Sequence, residues 1–173
     1  SALAGKFVAT IAAAKTAVKM GEKDSTITFD SGTLNNDDSV TGGAGTLDKV
    51  IATGITGLTA TTGALTISDV ETIQLTTSGN NTLDLSAVTG ATSVAVTDNV
   101  QTITGLDIAN TSIILGLVAD ASATASEIDV TAADATGTSD VLSVTVENTA
   151  AVVSSIIDAD NIETLALTVN AAD

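Results

Sequence analysis

The stretch from Leu34 to Val50 holds the side chains best suited to chemistry. It reads Leu-Asn-Asn-Asp-Asp-Ser-Val-Thr-Gly-Gly-Ala-Gly-Thr-Leu-Asp-Lys-Val, with Asp37 and Asp38 before the glycines and Asp48 after them. Glycines let carbonyl oxygens converge on an ion, and flanking carboxylates supply the negative charge that calcium prefers. We therefore predict calcium as the cofactor, with Asp37, Asp38 and Asp48 as metal ligands. The alternative is a simple glycine-rich turn.

A second pair of carboxylates, Asp158 and Asp160, could in principle serve a glycosidase or a polysaccharide lyase. Parallel β-helices do host such enzymes. The chain, however, has two Phe, five basic residues and no Tyr or Trp to hold a sugar, and it has no His to activate a Ser or Thr nucleophile. We predict that the chain is not an enzyme and expect a structural protein.

The charge balance restricts the choice of partners. Twenty-one acidic residues against five basic ones give a net charge of −16. Nucleic acids and anionic membranes both require cationic patches, so neither is expected as a partner. No apolar run is long enough to cross a bilayer, and no membrane insertion is predicted. Cations are the natural counterpart, although the acid could also serve only to keep a sheet-rich protein soluble.

The first twenty residues differ in composition from the rest. They are Ala-rich, Lys15 and Lys19 lie toward their end, and Gly21 follows. Apolar residues recur at helical spacing: Leu3, Phe7, Ile11, Ala14 and Val18. We predict a helix here, in an N-terminal unit 1–23 that covers the end of a sheet or ends a preceding helical region. Ser1 and the lack of a signal-peptide pattern suggest part of a longer protein.

From Ser25 onward the hydrophobic period changes from helical to alternating, with Gly, Asn, Asp and Ser clusters between the apolar runs. Such runs are typical of half-buried strands. Seven are predicted: 26–29, 49–51, 64–67, 72–76, 82–85, 93–97 and 141–146. This unit, residues 24–173, is therefore predicted to be all-β.

Two repeated themes indicate which all-β architecture this is. The first theme has, in order along the chain, an aliphatic residue, an acidic turn, an aliphatic residue, a polar residue, Thr and another aliphatic residue. It occurs at residues 67–73, 96–103 and 157–165. The second is aliphatic-Asp-aliphatic and a small residue, as in 83–86, 106–109 and 128–131. This spacing favours a parallel β-helix, a β-solenoid-like stack of short strands with Thr and Asn ladders and a short N-terminal helix. The alternative is an immunoglobulin-like β-sandwich, for which an aromatic core residue and a proline would be expected.

The acidic turn before Gly42-Gly43-Ala44-Gly45 resembles the calcium-binding opening of bacterial surface-layer (S-layer) proteins related to the glycine-rich RTX proteins. The Ile-Ser-Asp-Val-Glu-Thr-Ile and Leu-Asp-Leu-Ser themes are similar to downstream strands of those proteins, so the resemblance covers most of residues 24–173. It implies type I secretion and calcium-dependent lattices on the cell surface. The RTX nonapeptide would place Asp at position 47, where this chain has Leu47, with Asp48 one place later.

Three function classes stay open. The first is a self-assembling, extracellular S-layer or matrix segment that contacts identical subunits, calcium and a surface polysaccharide. The second is a stalk or adhesion module of a large exported protein, which has the same composition but does not form arrays. A polysaccharide-active enzyme explains the sequence least well.

Overall fold

The fold is taken from a computed structural model of the chain. It describes residues 6–9, 17–58, 65–77, 81–97, 101–107, 112–117, 126–132, 136, 138–148 and 155–170. These residues contain no helix, and hence none that could cross a membrane.

The described residues form sixteen short strands. They are β1 (Lys6–Ala9), β2 (Ala17–Lys19), β3 (Thr26–Phe29), β4 (Ser39–Thr41), β5 (Lys49–Ile55), β6 (Thr66–Ser68), β7 (Thr72–Thr77), β8 (Asn81–Asp84), β9 (Val88–Thr89), β10 (Ser93–Thr97), β11 (Gln101–Leu106), β12 (Ser112–Leu117), β13 (Ser126–Ala132), β14 (Val141–Asn148), β15 (Ser155–Asp158) and β16 (Thr164–Asn170). Five of the seven strands predicted from alternation have their first residue where expected, and the other two begin within two residues of it.

The strands assemble into three parallel sheets that wind as a β-solenoid, which confirms the predicted fold class. An eight-stranded sheet has the order β1-β3-β5-β7-β10-β12-β14-β16 and runs the whole length of the stack. Two four-stranded sheets, β2-β4-β6-β9 and β15-β13-β11-β8, close the N-terminal and C-terminal halves. All pairings between the described strands are parallel, which rules out the β-sandwich, whose sheets are antiparallel.

The interior is filled by columns of apolar side chains from successive coils. Phe29, Ala52, Leu75 and Val96 are in register along the eight-stranded sheet, and each is at most 2% exposed. The large Phe29 lies next to the small Ala52, so a small side chain in one coil leaves room for a large one in the coil before it. The alternation of buried and half-buried positions along β3 and β7 is the pattern seen in the sequence.

The polar face carries the predicted threonine ladder. Thr53 pairs with Thr76, and Thr76 pairs with Thr97, so three coils place Thr at one register position. No described register pair sets Asn opposite Asn; Asn81, for example, pairs with Gln101. The described coils therefore have a Thr ladder and no Asn ladder, and other like residues also pair, such as Ser93 with Ser112 and Asp129 with Asp158.

The predicted N-terminal helix is wrong. Within residues 1–23, Lys6–Ala9 and Ala17–Lys19 are strands β1 and β2, which extend two of the sheets. Phe7 pairs with Ile27 and Val18 with Val40, so two residues of the supposed helical stripe occupy sheet positions. Strands β3 and β4 offer unpaired edges, and pairing with them outweighs the weak helical preference of an Ala-rich segment. The other stripe residues, Leu3, Ile11 and Ala14, lie outside the described residues, as does Lys15.

Candidate functional site

Asp48 lies at the corner of the solenoid immediately before β5 and is fully buried. Its Oδ1 accepts a hydrogen bond from the backbone N–H of Ser25 at 2.7 Å. Its Oδ2 accepts one from the backbone N–H of Gly43 at 2.8 Å. A carboxylate that accepts two backbone N–H groups forms strong, charge-assisted hydrogen bonds, and here they join two coils.

The same contact recurs farther along the stack. Glu71 Oε2 accepts the backbone N–H of Asp48 at 2.7 Å, and Glu163 Oε2 accepts that of Asp140 at 2.9 Å. In each case donor and acceptor are 23 residues apart, which is one coil of the solenoid. We call Asp48, Glu71 and Glu163 the corner carboxylates. Each accepts a hydrogen bond from the preceding coil and so satisfies an N–H at a bend where the strand ladder has not yet begun.

Asp24 makes the reverse contact, with the following coil. Its Oδ1 accepts the backbone N–H groups of Thr46 at 2.9 Å and Leu47 at 3.2 Å. The glycine turn is therefore held from both sides, by Asp24 of the coil before it and by Asp48 at its own end.

The other two predicted ligands lie in the connection between β3 and β4 and differ from one another. Asp38 is 2% exposed, and its Oδ2 accepts the backbone N–H of Asn35 at 2.7 Å. Its carbonyl oxygen accepts the N–H of Thr66 in the next coil at 3.0 Å. Asp37 is exposed and has a φ of 73°, a left-handed conformation that a tight turn requires and that Asp tolerates better than most residues.

The glycines of the turn are explained by close approach between coils. A Cβ added at Gly42 would collide with the carbonyl oxygen of Asp69, and one added at Gly43 would collide with that of Gly21. A Cβ at Gly45 would lie 2.8 Å from the backbone nitrogen of Asp24. Each of the three glycines thus faces the backbone of a neighbouring coil where no side chain fits.

The acidic residue that follows the glycines is at position 48, one place later than in the RTX pattern, and this shift decides whether its side chain is buried or exposed. Leu47 is 70% exposed, whereas Asp48 beside it is fully buried. Successive residues entering a strand point to opposite faces, so the shift from position 47 to position 48 turns the carboxylate inward, toward the backbone N–H groups.

The hydrogen bonds and the exposure of Asp37, Asp38 and Asp48 determine whether these three residues could hold one calcium ion together. The two oxygens of Asp48 serve backbone donors, Asp38 is also engaged with the backbone, and Asp37 is exposed on the surface. Within the ranges that the structure describes, no group of three or more acidic side chains is gathered closely enough to hold a metal ion. The three aspartates therefore do not fit a single coordination sphere in the observed arrangement. Calcium binding by them stays a prediction.

The pair considered for catalysis, Asp158 and Asp160, lies where β15 ends and the turn to β16 begins, and both residues are exposed. Sequence reasoning did not single out Glu71 or Glu163 as functional. A signal was present, since both occur in the first theme immediately before a Thr and an aliphatic residue, at the entry to β7 and β16. The repeated position of the acid thus marked two of the three corner carboxylates, Glu71 and Glu163.

No protein-family model, curated protein or solved structure matches the chain.

Proposed function

We propose that this chain is a structural, self-assembling segment of an extracellular cell-surface protein, of the S-layer or matrix kind, whose assembly depends on calcium. The observation that carries the proposal is that the residues best suited to chemistry make structural contacts. Gly42, Gly43, Asp38 and Asp48 make contacts within and between coils, so the residues that attract attention in the sequence support the architecture.

The stacked-coil architecture and the net charge support the same proposal. A stack of parallel coils is a rigid rod with two ends, and such rods suit lattices and scaffolds better than enclosed active sites. The net charge of −16 keeps separate copies apart in solution until cations screen or bridge their carboxylates. Self-association with identical subunits and binding of calcium, with a surface polysaccharide as anchor, are the interactions that we propose.

In this proposal, calcium binds mainly to carboxylates on the surface. Asp37, Asp158 and Asp160 are all exposed, and carboxylates of neighbouring copies can complete a calcium coordination sphere of six to eight oxygens that one copy leaves incomplete. Magnesium should replace calcium poorly because it demands stricter geometry and releases water reluctantly.

The test is electron microscopy of the purified chain with millimolar calcium, with the same concentration of magnesium, and after chelation. We expect ordered arrays with calcium, and dispersed particles with magnesium or chelator. A chain that remains dispersed in calcium at every protein concentration would contradict the proposal.

The alternative, a stalk or adhesion module, is favoured by one observation, the continuous eight-stranded sheet, which makes an elongated spacer. A stalk would give single rods under all three conditions. The same images therefore separate the two functions.

A further inference from the structure

The outward side of the eight-stranded sheet is almost free of charge. Along β3, β5 and β7, buried residues alternate with half-buried or exposed ones, and the second set faces away from the core. We call the outward residues of β3, β5, β7 and β10 the outer face: Thr26, Thr28, Lys49, Ile51, Thr53, Thr72, Gln74, Thr76, Ser93 and Ala95. Lys49, at the start of β5, is the one charged residue of this set, although the chain has 21 acidic side chains.

Carboxylates of the described surface lie beside the outer face or on another sheet. Asp30 and Asp69 are exposed in turns, after β3 and after β6, and Glu71 is half-buried at the corner before β7. Glu147 belongs to β14, beyond the outer face, and Asp158 to β15 of a smaller sheet. Two copies that meet through those surfaces bring like charges together, whereas two outer faces meet without a carboxylate between them.

The middle row of the outer face is its most apolar part. Thr28, Ile51, Gln74 and Ala95 are in register in four successive coils. Ile51 and Ala95 are apolar, yet they point away from the core. Protein interfaces have a core that is depleted in charge and a polar rim. The outer face has this distribution, with its apolar residues in the middle row and Lys49 at its margin.

Area distinguishes the outer face from the other surface that lacks acidic residues. The strands of the sheet β2-β4-β6-β9 contain no Asp or Glu, but they are only two or three residues long. At about 3.3 Å per residue and about 4.8 Å per strand, that sheet covers roughly 200 Å². The outer face is continued in register by β12, and five strands of about 17 Å cover roughly 400 Å². A pair of outer faces therefore buries on the order of 1,000 Å², the size of a weak but specific interface.

We propose that two copies of this chain pair face to face through the outer face. Both copies contribute the same residues, so the contact closes as a dimer, with the two sheets about 10 Å apart. Because the contact contains no carboxylate, it requires screening of the overall charge but no bound calcium. This inference rests on the self-association in the proposed function and names one of its contacts. Calcium then joins such pairs into arrays through the carboxylates that lie outside the contact.

Sedimentation velocity in chelator tests the pairing, at 0.1 M and at 1 M sodium chloride. The screening length falls from about 10 Å to about 3 Å between these concentrations, so the dimer fraction should rise with salt. Gln74→Glu has nearly the same shape as the parent but buries a charge in the middle row, and it should weaken pairing at least about tenfold. Thr66→Glu adds the same charge at an exposed position of β6 on the smaller sheet and should pair within about twofold of the parent. Urea midpoints verify that both variants are folded.

Cysteine labelling tests the location of the contact without a charge change, because the chain has no cysteine of its own. Gln74→Cys and Thr66→Cys are each treated with a maleimide under monomeric and under dimeric conditions. Labelling of Gln74→Cys should slow at least about fivefold in the dimer, because a buried thiol is inaccessible to the reagent. Labelling of Thr66→Cys should stay within about twofold and serves as the control for the effect of salt on the reaction.

The outcomes separate this inference from the proposed function. A parent that stays monomeric at 1 M salt, or a Gln74→Glu variant that pairs as the parent does, overturns the outer-face contact even if arrays form in calcium. Protection of Thr66→Cys with free labelling of Gln74→Cys overturns it too, because the contact then lies on the smaller sheet. Pairing in chelator that Gln74→Glu abolishes supports the outer face. If that pairing occurs but no arrays form in calcium, the calcium-dependent function fails and the inference stands.

Discussion

The carboxylate of Asp48 accepts a hydrogen bond from the backbone N–H of Ser25, the residue directly opposite it one coil earlier, at 2.7 Å. It also accepts one from Gly43 at 2.8 Å, within its own turn. A single buried side chain thereby fixes both the shape of the glycine turn and its distance from the previous coil.

Replacing Asp48 by Asn should destabilise the fold without any metal present. The neutral amide loses the charge-assisted character of both hydrogen bonds, and its NH2 group faces backbone N–H donors. The expected loss is about 1.5 to 3 kcal/mol in the free energy of unfolding. Urea denaturation in chelator measures it. The control is Asp37→Asn, which removes the same charge from an exposed residue in a conformation that Asn also tolerates and should change stability by less than about 0.5 kcal/mol. Equal midpoints for the two variants would show that the hydrogen bonds of Asp48 contribute nothing.

Gly43→Ala should be among the most damaging single changes in the turn. The added methyl would overlap the carbonyl oxygen of Gly21, so the two coils would have to separate and lose their contacts. We expect a loss of more than about 3 kcal/mol, or failure to fold, measured by thermal denaturation. Gly21→Ala is the matched control, because nothing lies within 4 Å of a Cβ at that position. A Gly43→Ala protein as stable as Gly21→Ala would mean that the coils are not in contact at this corner.

Leu75→Ala should open a cavity in the inner column. Leu75 is 1% exposed and is in register with Ala52 and Val96, neither of which is large enough to fill the space. The expected cost is about 2 to 5 kcal/mol, read from the urea midpoint at constant slope. Leu47→Ala removes the same atoms from a side chain that is 70% exposed and should cost less than about 0.5 kcal/mol. A small effect at Leu75 would contradict the packed column.

Calcium should stabilise the parent by about 2.7 kcal/mol when its free concentration is a hundredfold above the dissociation constant. The variant with Asp37, Asp38 and Asp48 all changed to Asn tests whether those residues hold the ion. Since Asp48→Asn and Asp38→Asn lower stability by themselves, the quantity to compare is the calcium-induced increase in melting temperature within each protein. If the triple variant keeps the full increase, calcium acts through other carboxylates or through contacts between copies.

Seven of the sixteen described strands were readable from the sequence because burial on one face leaves a period of two, whereas longer strands such as β11, β13 and β16 were not predicted. Strands β3 and β10 have the bounds that the alternation predicts, and β5, β7 and β14 begin where expected. Short strands such as β4 and β9 were missed because two or three residues carry too little pattern to detect.

Each copy of the first repeated theme lies at a turn between two strands, but the copies do not all lead into the same sheet. Segments 67–73 and 157–165 both lead into the eight-stranded sheet, whereas 96–103 leads from β10 into β11, a strand of a smaller sheet. Every corner needs an aliphatic residue on each side of a polar turn, so this local pattern does not specify which sheet comes next. In the second theme, Leu83 pairs with Ile103 and not with the expected Leu106.

The glycine turn was recognised in the sequence, but its internal contacts could not be read there. Whether the carboxylate of Asp48 faces an ion or a backbone N–H depends on the path of the preceding coil, which brings Ser25 to within 2.7 Å of it. The partner is 23 residues away, and local spacing carries no information about that distance.

In the eight-stranded sheet, each described strand pairs with the strand one coil before or after it, so a new coil has nothing to pair with until a neighbour has formed. Closing the first coils costs loop entropy with little return, and each later coil adds to a template that is already in place. Folding should therefore be slow to nucleate and quick to propagate. A chain that emerges from the ribosome can extend the solenoid coil by coil. Until the last strands are placed, the growing edge is open to other nascent chains, and a net charge of −16 helps to hold those chains apart.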